Sequence, residues 1–122
     1  MMGTLYPAPI LILEDEPLIA MDLELMLSSE GICPVELAGS CAAAEAWLAG
    51  HTPSIAIVDI SLKDGSCVDL ARELLTRKVP LIVCSGAQKS DIDPVFKAGI
   101  WLPKPCQANE LAAVVRGTLA AA

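Results

Sequence analysis

Read for its hydrophobic and polar positions, the chain alternates short apolar runs with longer stretches in which apolar residues recur every three or four positions. That alternation is the βαβα pattern of a parallel sheet covered by helices on both faces. The first run, residues 9–13, reads as a strand, and Pro17 opens the following helix at a first position where its missing N–H costs nothing. Ile19, Leu23, Met26 and Leu27 supply the buried face of that helix, with Asp22 and Glu30 left to solvent and Gly31 as the stop. A second strand near residues 35–38 leads to a helix with Ser40 as N-cap, buried through Ala44, Trp47 and Leu48 and closed by Gly50.

The third strand, residues 55–58, is apolar throughout, as a strand buried on both faces must be, so Asp59 emerges at the carboxyl edge of the sheet. The turn Lys63-Asp64-Gly65-Ser66 then starts a helix reaching about Arg77, and residues 81–84 form the fourth strand, ending in Ser85-Gly86. Asp93-Pro94 reads as the cap and first position of a short helix stopped by Gly99, after a loop over residues 87–92. Residues 100–102 make a brief fifth strand, and Leu111, Val114, Val115 and Leu119 stripe a last helix. Five strands and five helices predict an α/β open, doubly wound sheet.

At 122 residues the chain suits one domain, spanning residues 1–122, with a hydrophobic core of its own. Its 54% hydrophobic content looks membrane-like, yet charged or turn residues break every apolar run short of the ~20 needed for a spanning helix. Residues 1–10 lack the basic stretch and cleavage site of an export signal, so a soluble, cytoplasmic protein with no membrane partner is expected. A net charge of −7 opposes binding to a phosphate backbone, which excludes nucleic acid as an expected partner.

The five cysteines (Cys33, Cys41, Cys67, Cys84, Cys106) form no C-x-x-C pair, which argues against a zinc site or a disulfide framework; they read as reduced, small apolar side chains. His51, the one histidine, follows Gly50 in a turn and reads as a solvated loop residue.

Ligand sites in such sheets lie beyond the carboxyl ends of the strands, at a switch point in strand order. That rule selects Glu14-Asp15-Glu16 after strand one, Asp59 after strand three, Ser85-Gly86 after strand four and Pro103-Lys104-Pro105 after strand five. Taken alone, the acidic triplet also suits the first turn of a helix, where the dipole favours negative charge. Two carboxylates ~4 Å apart repel by roughly 4 kcal/mol at an effective dielectric of about 20, so a bare acid cluster needs a proton or a cation. Oxygen ligands in a half-open site suit Mg²⁺, and a carboxylate beside a lysine and a hydroxyl suits phosphoryl transfer through an aspartyl phosphate.

At these residues the chain resembles the receiver domain of bacterial two-component response regulators over nearly its whole length. Ile12-Leu13-Glu14-Asp15-Glu16-Pro17-Leu18-Ile19 is similar to the family's acidic-pair segment. Ile57-Val58-Asp59-Ile60-Ser61-Leu62 is similar to its phosphoacceptor strand, and Leu102-Pro103-Lys104-Pro105 to its lysine-proline signature. The resemblance implies a flavodoxin-like sheet of order 2-1-3-4-5. It implies Asp59 as phosphoacceptor, with Asp15, Asp59 and the Ser61 backbone carbonyl as Mg²⁺ ligands and Glu14 acting through a water. Ser85 and Lys104 would contact the phosphoryl group, Lys104 beside a cis bond to Pro105, and Trp101 would take the aromatic switch position.

The sequence departs from the family at Ser85, where threonine is usual, and at Trp101, where tyrosine or phenylalanine is common. Lys63 and Cys67 also depart from it, in the loop after Asp59. The Asp15-to-Leu23 stretch and Ser85-Gly86 resemble a receiver subgroup common in α-proteobacteria, including stress-response relays.

The expected function is therefore a stand-alone response regulator, with no output domain after Leu119. It would accept phosphoryl from a histidine kinase or histidine phosphotransfer protein and signal by changing which downstream protein it binds. It would not be a turnover enzyme, beyond self-catalysed transfer and slow autodephosphorylation. The alternative is a phosphorylation-independent pseudo-receiver, against which the intact acid, serine and lysine set argues. An aspartyl-intermediate phosphatase would want an acid two residues after Asp59, where Ser61 stands, and a flavin site would want a phosphate loop where strand one ends in acids.

Overall fold

The division of side chains along the strands dictates the layers. In β3 (Ile55–Asp59), Ile55 and Ile57 face one side of the sheet and Ala56 and Val58 the other, and all four are buried. β1 (Thr4–Leu13) divides in the same way, Ile10 and Ile12 against Leu11 and Leu13, as does β4 (Leu81–Ser85), Ile82 and Cys84 against Leu81 and Val83. Strands buried on both faces require a helical layer on each. One layer consists of α1 (Pro17–Ser29) and α4 (Ala108–Ala121), inserting Leu23, Leu27, Leu111, Ala112 and Val115. The other consists of α2 (Cys41–Leu48) and α3 (Val68–Thr76), inserting Ala44, Leu48, Leu70, Ala71 and Leu74.

These elements, with β2 (Ile32–Ala38) and β5 (Ile100–Pro103), come from a computed structural model that describes residues 4–59, 68–85, 99–103 and 107–121. The five strands are parallel and ordered β2-β1-β3-β4-β5, the doubly wound sheet that the pattern predicts in the flavodoxin-like order that the resemblance implies. Four helices lie among the described residues. The short helix expected from Asp93-Pro94 to Gly99, like the turn at residues 63–66, falls outside them.

Several boundaries move, each for a physical reason. β1 begins at Thr4, ahead of the expected residue 9, pairing with Ile32 and Cys33 across a register shift between Leu5 and Ile10. That shift spans Pro7 and Pro9, which cannot donate to a regular ladder. β2 accommodates Pro34 because it is an edge strand. Ile19 is 38% exposed and Ala20 takes its place in the core beside Leu23 and Leu27, while Met26 is only half-buried. Ser40 caps α2 as expected, its Oγ accepting from the Ala43 N–H at 3.0 Å, and Gly31 adopts a φ of 77° after α1. Trp47 is half-buried and stacks on His51 with ring centroids 4.8 Å apart, and His51 Nδ1 donates to the Trp47 carbonyl. His51 is thus an exposed loop residue tied to its own helix.

At Gly99, just before β5, a Cβ would lie 2.9 Å from the Leu81 Cβ and 3.0 Å from its carbonyl oxygen. Gly99→Ala is therefore expected to destabilise the fold by about 1–3 kcal/mol in urea unfolding through overpacking against a backbone that cannot yield. A cost under about 0.5 kcal/mol would mean that β4 and β5 are not pressed together there.

Candidate functional site

The reversal of strand order between β1 and β3 places a crevice at their carboxyl ends, and the register decides what stands around it. Leu13 pairs with Val58, so Glu14 and Asp59 are the next residues on two adjacent strands. Asp59 pairs with Cys84, which puts Ser85 one step beyond, and Ser85 pairs with Pro103, which puts Lys104 next in sequence. At the ~4.8 Å spacing of neighbouring strands, the backbones of Glu14, Asp59 and Ser85 thus follow one another across a single edge, with Lys104 next in sequence after β5.

The acidic triplet does not form the first turn of a helix. α1 starts at Pro17, with Glu16 in extended conformation as its N-cap and no acid in the first turn. Glu14 is the one charged residue buried among the described side chains, at 2% exposure, and Asp15 is half-buried beside it. Two backbone contacts hold the segment: the Glu14 N–H donates to the Ala38 carbonyl at 3.0 Å, and Glu14 Oε2 accepts from the Glu16 N–H at 3.3 Å. The first ties β1 to β2 and is not readable from sequence, because it depends on how the chain closes around Ala38, whereas the second is local.

Glu14 and Asp15 also line a cleft of about 210 Å³ with Pro17, Ala20, Met21, Leu37, Ala38 and Gly39. Trp101, on β5 opposite Val83, is half-buried against the cluster that packs α2 and α3 onto the sheet. The side chains of Asp59 and Ser85, and Ser61, Lys104 and Pro105 entirely, lie outside the described residues. Among the described residues no three His, Cys, Asp or Glu side chains come together as a metal-holding group, and the expected ligand set needs Asp59 and Ser61 to complete it.

A carboxylate as buried as Glu14 is costly unless donors or a cation compensate it, and the Glu16 N–H is one such donor. A second acid beside it and a third at the next strand end make an all-oxygen donor set, which fits Mg²⁺ and not a soft metal.

Residues 10–116 match the family model of the response regulator receiver domain, and the chain belongs to that family. It is 32% identical over 109 residues to the transcriptional regulatory protein PdtaR of Mycobacterium tuberculosis, a match covering 86% of this chain and 53% of that protein. It is 33% identical over 118 residues to the phyllosphere-induced regulator PhyR of Methylorubrum extorquens, covering 90% and 43% respectively. The chain therefore spans about half the length of these curated relatives. Among solved structures, the response regulator TrrA of Thermotoga maritima, in complex with Mg²⁺ and BeF, superposes with a TM-score of 0.78 at 23% identity, covering 90% of this chain and 97% of that one. That likeness establishes the shared fold. No helix among the described residues is long and apolar enough to cross a membrane.

Proposed function

We propose that this receiver domain takes a phosphoryl group on Asp59 from a phosphohistidine of a kinase or phosphotransfer protein. The observation that carries the proposal is the register that sets Glu14, Asp59, Ser85 and the start of the lysine-proline segment on consecutive strand ends, with Glu14 buried there. Asp59 would attack phosphorus through a carboxylate oxygen, and the P–N bond to histidine would break. Asp15, Asp59 and the Ser61 carbonyl would hold Mg²⁺, with Glu14 in the outer shell; the ion would supply charge neutralisation on the phosphoryl oxygens. Ser85 would donate to one phosphoryl oxygen and Lys104 would pair with another, biasing a two-state equilibrium that Trp101 reports to a downstream protein.

The partner's approach has support on α1. Leu18, Met21 and Leu25 are 80%, 59% and 66% exposed, and Met21 also lines the Glu14–Asp15 cleft. An apolar helix face continuous with the acidic edge suits a helical phosphodonor protein, whose histidine must reach Asp59. On this reading the chain is a self-phosphorylating acceptor with slow autodephosphorylation and no turnover of an outside substrate.

The test is intact mass after incubation with a small-molecule phosphodonor and Mg²⁺, with a chelated control. A gain of one phosphoryl group that chelation prevents is the expected result. No gain with that donor or with phosphorylated kinases would overturn the proposal and leave a phosphorylation-independent interaction module.

A further inference from the structure

α1 is apolar on two opposite faces, and the fold covers one of them. Leu23 and Leu27 pack toward the sheet and α4 with Ala20 buried on the same side, whereas Leu18, Met21, Leu25 and Ser28 stand exposed on the other. A helix apolar on both sides is ordinarily covered on both. The exposed residues follow one another at spacings of three, four and three, which is the seam of a coiled-coil helix. With Asp22 and Glu24 they line a shallow groove of about 410 Å³. At ~3.6 residues per turn Asp22 falls on one flank of the seam and Glu24 on the other, the two places from which charged residues choose a partner helix. α1 contains no lysine or arginine, and neither acid is paired with a cation among the described residues. Arg116 of α4 meets α1 only at its C-cap, Glu30.

We propose that this seam receives one helix of the phosphodonor protein, with apolar residues at the matching spacing and lysine or arginine on both flanks. Asp22 and Glu24 are then the residues that select the donor, an assignment that rests on the phosphoacceptor function proposed above.

Charge decides between occupants. A second copy of the chain would bring the same seam and the same acids. Parallel pairing sets Asp22 of one copy against Glu24 of the other, and antiparallel pairing sets each acid against its own counterpart. Both arrangements place like charges across the contact, on a chain whose net charge is already −7. A basic-flanked helix meets opposite charge on both sides instead. Position ties that helix to phosphoryl transfer. Met21 lines this groove and also the cleft that holds Glu14 and Asp15, so the seam runs into the acidic edge where β1 ends. Its larger apolar residues, Leu18, Met21 and Leu25, lie toward that end, and Ser28 lies at the other. A helix along the seam therefore carries one end to the strand ends where Glu14 and Asp59 stand as neighbours.

The experiment measures binding of three fluorescent peptides, each held helical by a side-chain staple, to the full chain. One has a leucine seam with lysine flanks, one the same seam with glutamate flanks, and one lysine flanks with serine in the seam. The first is expected to bind at least about tenfold more tightly than either of the others, the scale of a few exposed charge pairs matched instead of opposed, and to weaken as salt rises. Asp22→Lys together with Glu24→Lys should turn the preference to the glutamate-flanked peptide, whereas Glu45→Lys, at an exposed site on α2, should leave it unchanged. Equal binding of the two leucine-seam peptides, or a preference that survives the double substitution, overturns selection by charge. A serine-seam peptide that binds as well as the first reduces the effect to plain charge attraction and overturns the seam. A chain that sediments as a dimer, and as a monomer once Leu25→Lys is made, puts a second copy there instead.

The phosphodonor is tested separately. The lysine-flanked peptide should slow phosphoryl uptake from phosphorylated kinases several-fold and leave uptake from a small-molecule donor as it was. Unchanged transfer from the kinases overturns the phosphodonor as occupant. If the peptide binds as expected while neither donor phosphorylates the chain, the phosphoacceptor function fails and takes the phosphodonor with it, while the seam stands as a docking site for a basic helix.

Discussion

Asp59→Asn is expected to gain no phosphoryl group under conditions where the unsubstituted chain gains one, as read by intact mass. The substitution keeps side-chain shape and removes the nucleophile, because an uncharged amide oxygen does not attack phosphorus as a carboxylate does. The sheet should tolerate it. The Asp59 backbone is held opposite Cys84, and the strand before it is buried through Ile55, Ala56, Ile57 and Val58, so the unfolding midpoint should move little. Glu14→Gln provides the contrasting case: it leaves the nucleophile and removes the buried charge behind it. Outer-shell substitutions typically weaken metal binding about 10–100-fold, so this variant should still be phosphorylated but need correspondingly more Mg²⁺. A single phosphoryl group retained by Asp59→Asn would place the acceptor elsewhere, and a Glu14→Gln variant with unchanged Mg²⁺ response would remove Glu14 from the site.

The parts of the fold that could be read from sequence were those whose chemistry leaves one solution. Residues 55–58 are apolar without interruption, which only a doubly covered strand explains, and Asp59 at its end followed from strand direction alone. Ser40 had to cap α2 because nothing else near it offers an oxygen to the first N–H groups.

The failures fall where tertiary contacts override a local pattern. α1 is apolar on more than one face, through Leu18, Ile19, Met21 and Leu25 as well as Leu23 and Leu27, so spacing could not say which stripe is buried. Packing against the sheet and α4 selected Leu23 and Leu27, while Ala20 is buried beside the Glu14–Asp15 cleft. The same holds for Cys41, which is disulfide-bonded against the expectation of reduced thiols although nothing in its neighbours along the chain marks it for pairing. For the site, strand direction predicted that Glu14, Asp59 and Ser85 stand at neighbouring strand ends, as the register has them, whereas the burial of Glu14 depends on packing that no local pattern announces.

The stripe on α1 can be tested by stability. Leu27 is fully buried, packed between the sheet and α4, and Leu27→Ala is expected to cost about 2–5 kcal/mol through lost burial and the cavity left behind. For a domain whose total stability is typically about 5–15 kcal/mol, that is a large fraction, and the urea midpoint should fall accordingly with an unchanged slope. Leu25→Ala, two residues earlier at 66% exposure, should stay within about 0.5 kcal/mol of the unsubstituted chain. The pair separates the two duties of one helix. Leu27 belongs to the face that also brings Glu30 against Arg116 of α4, whereas Leu25 belongs to the exposed face with Leu18 and Met21 beside the acidic edge. If Leu25→Ala proved the costlier change, α1 would be docked through its other face, and the surface assigned to the phosphodonor would be core instead. If the order holds, Leu25 is free to serve the phosphodonor surface proposed above, and its replacement should slow phosphoryl uptake from a protein donor while leaving uptake from a small-molecule donor unchanged.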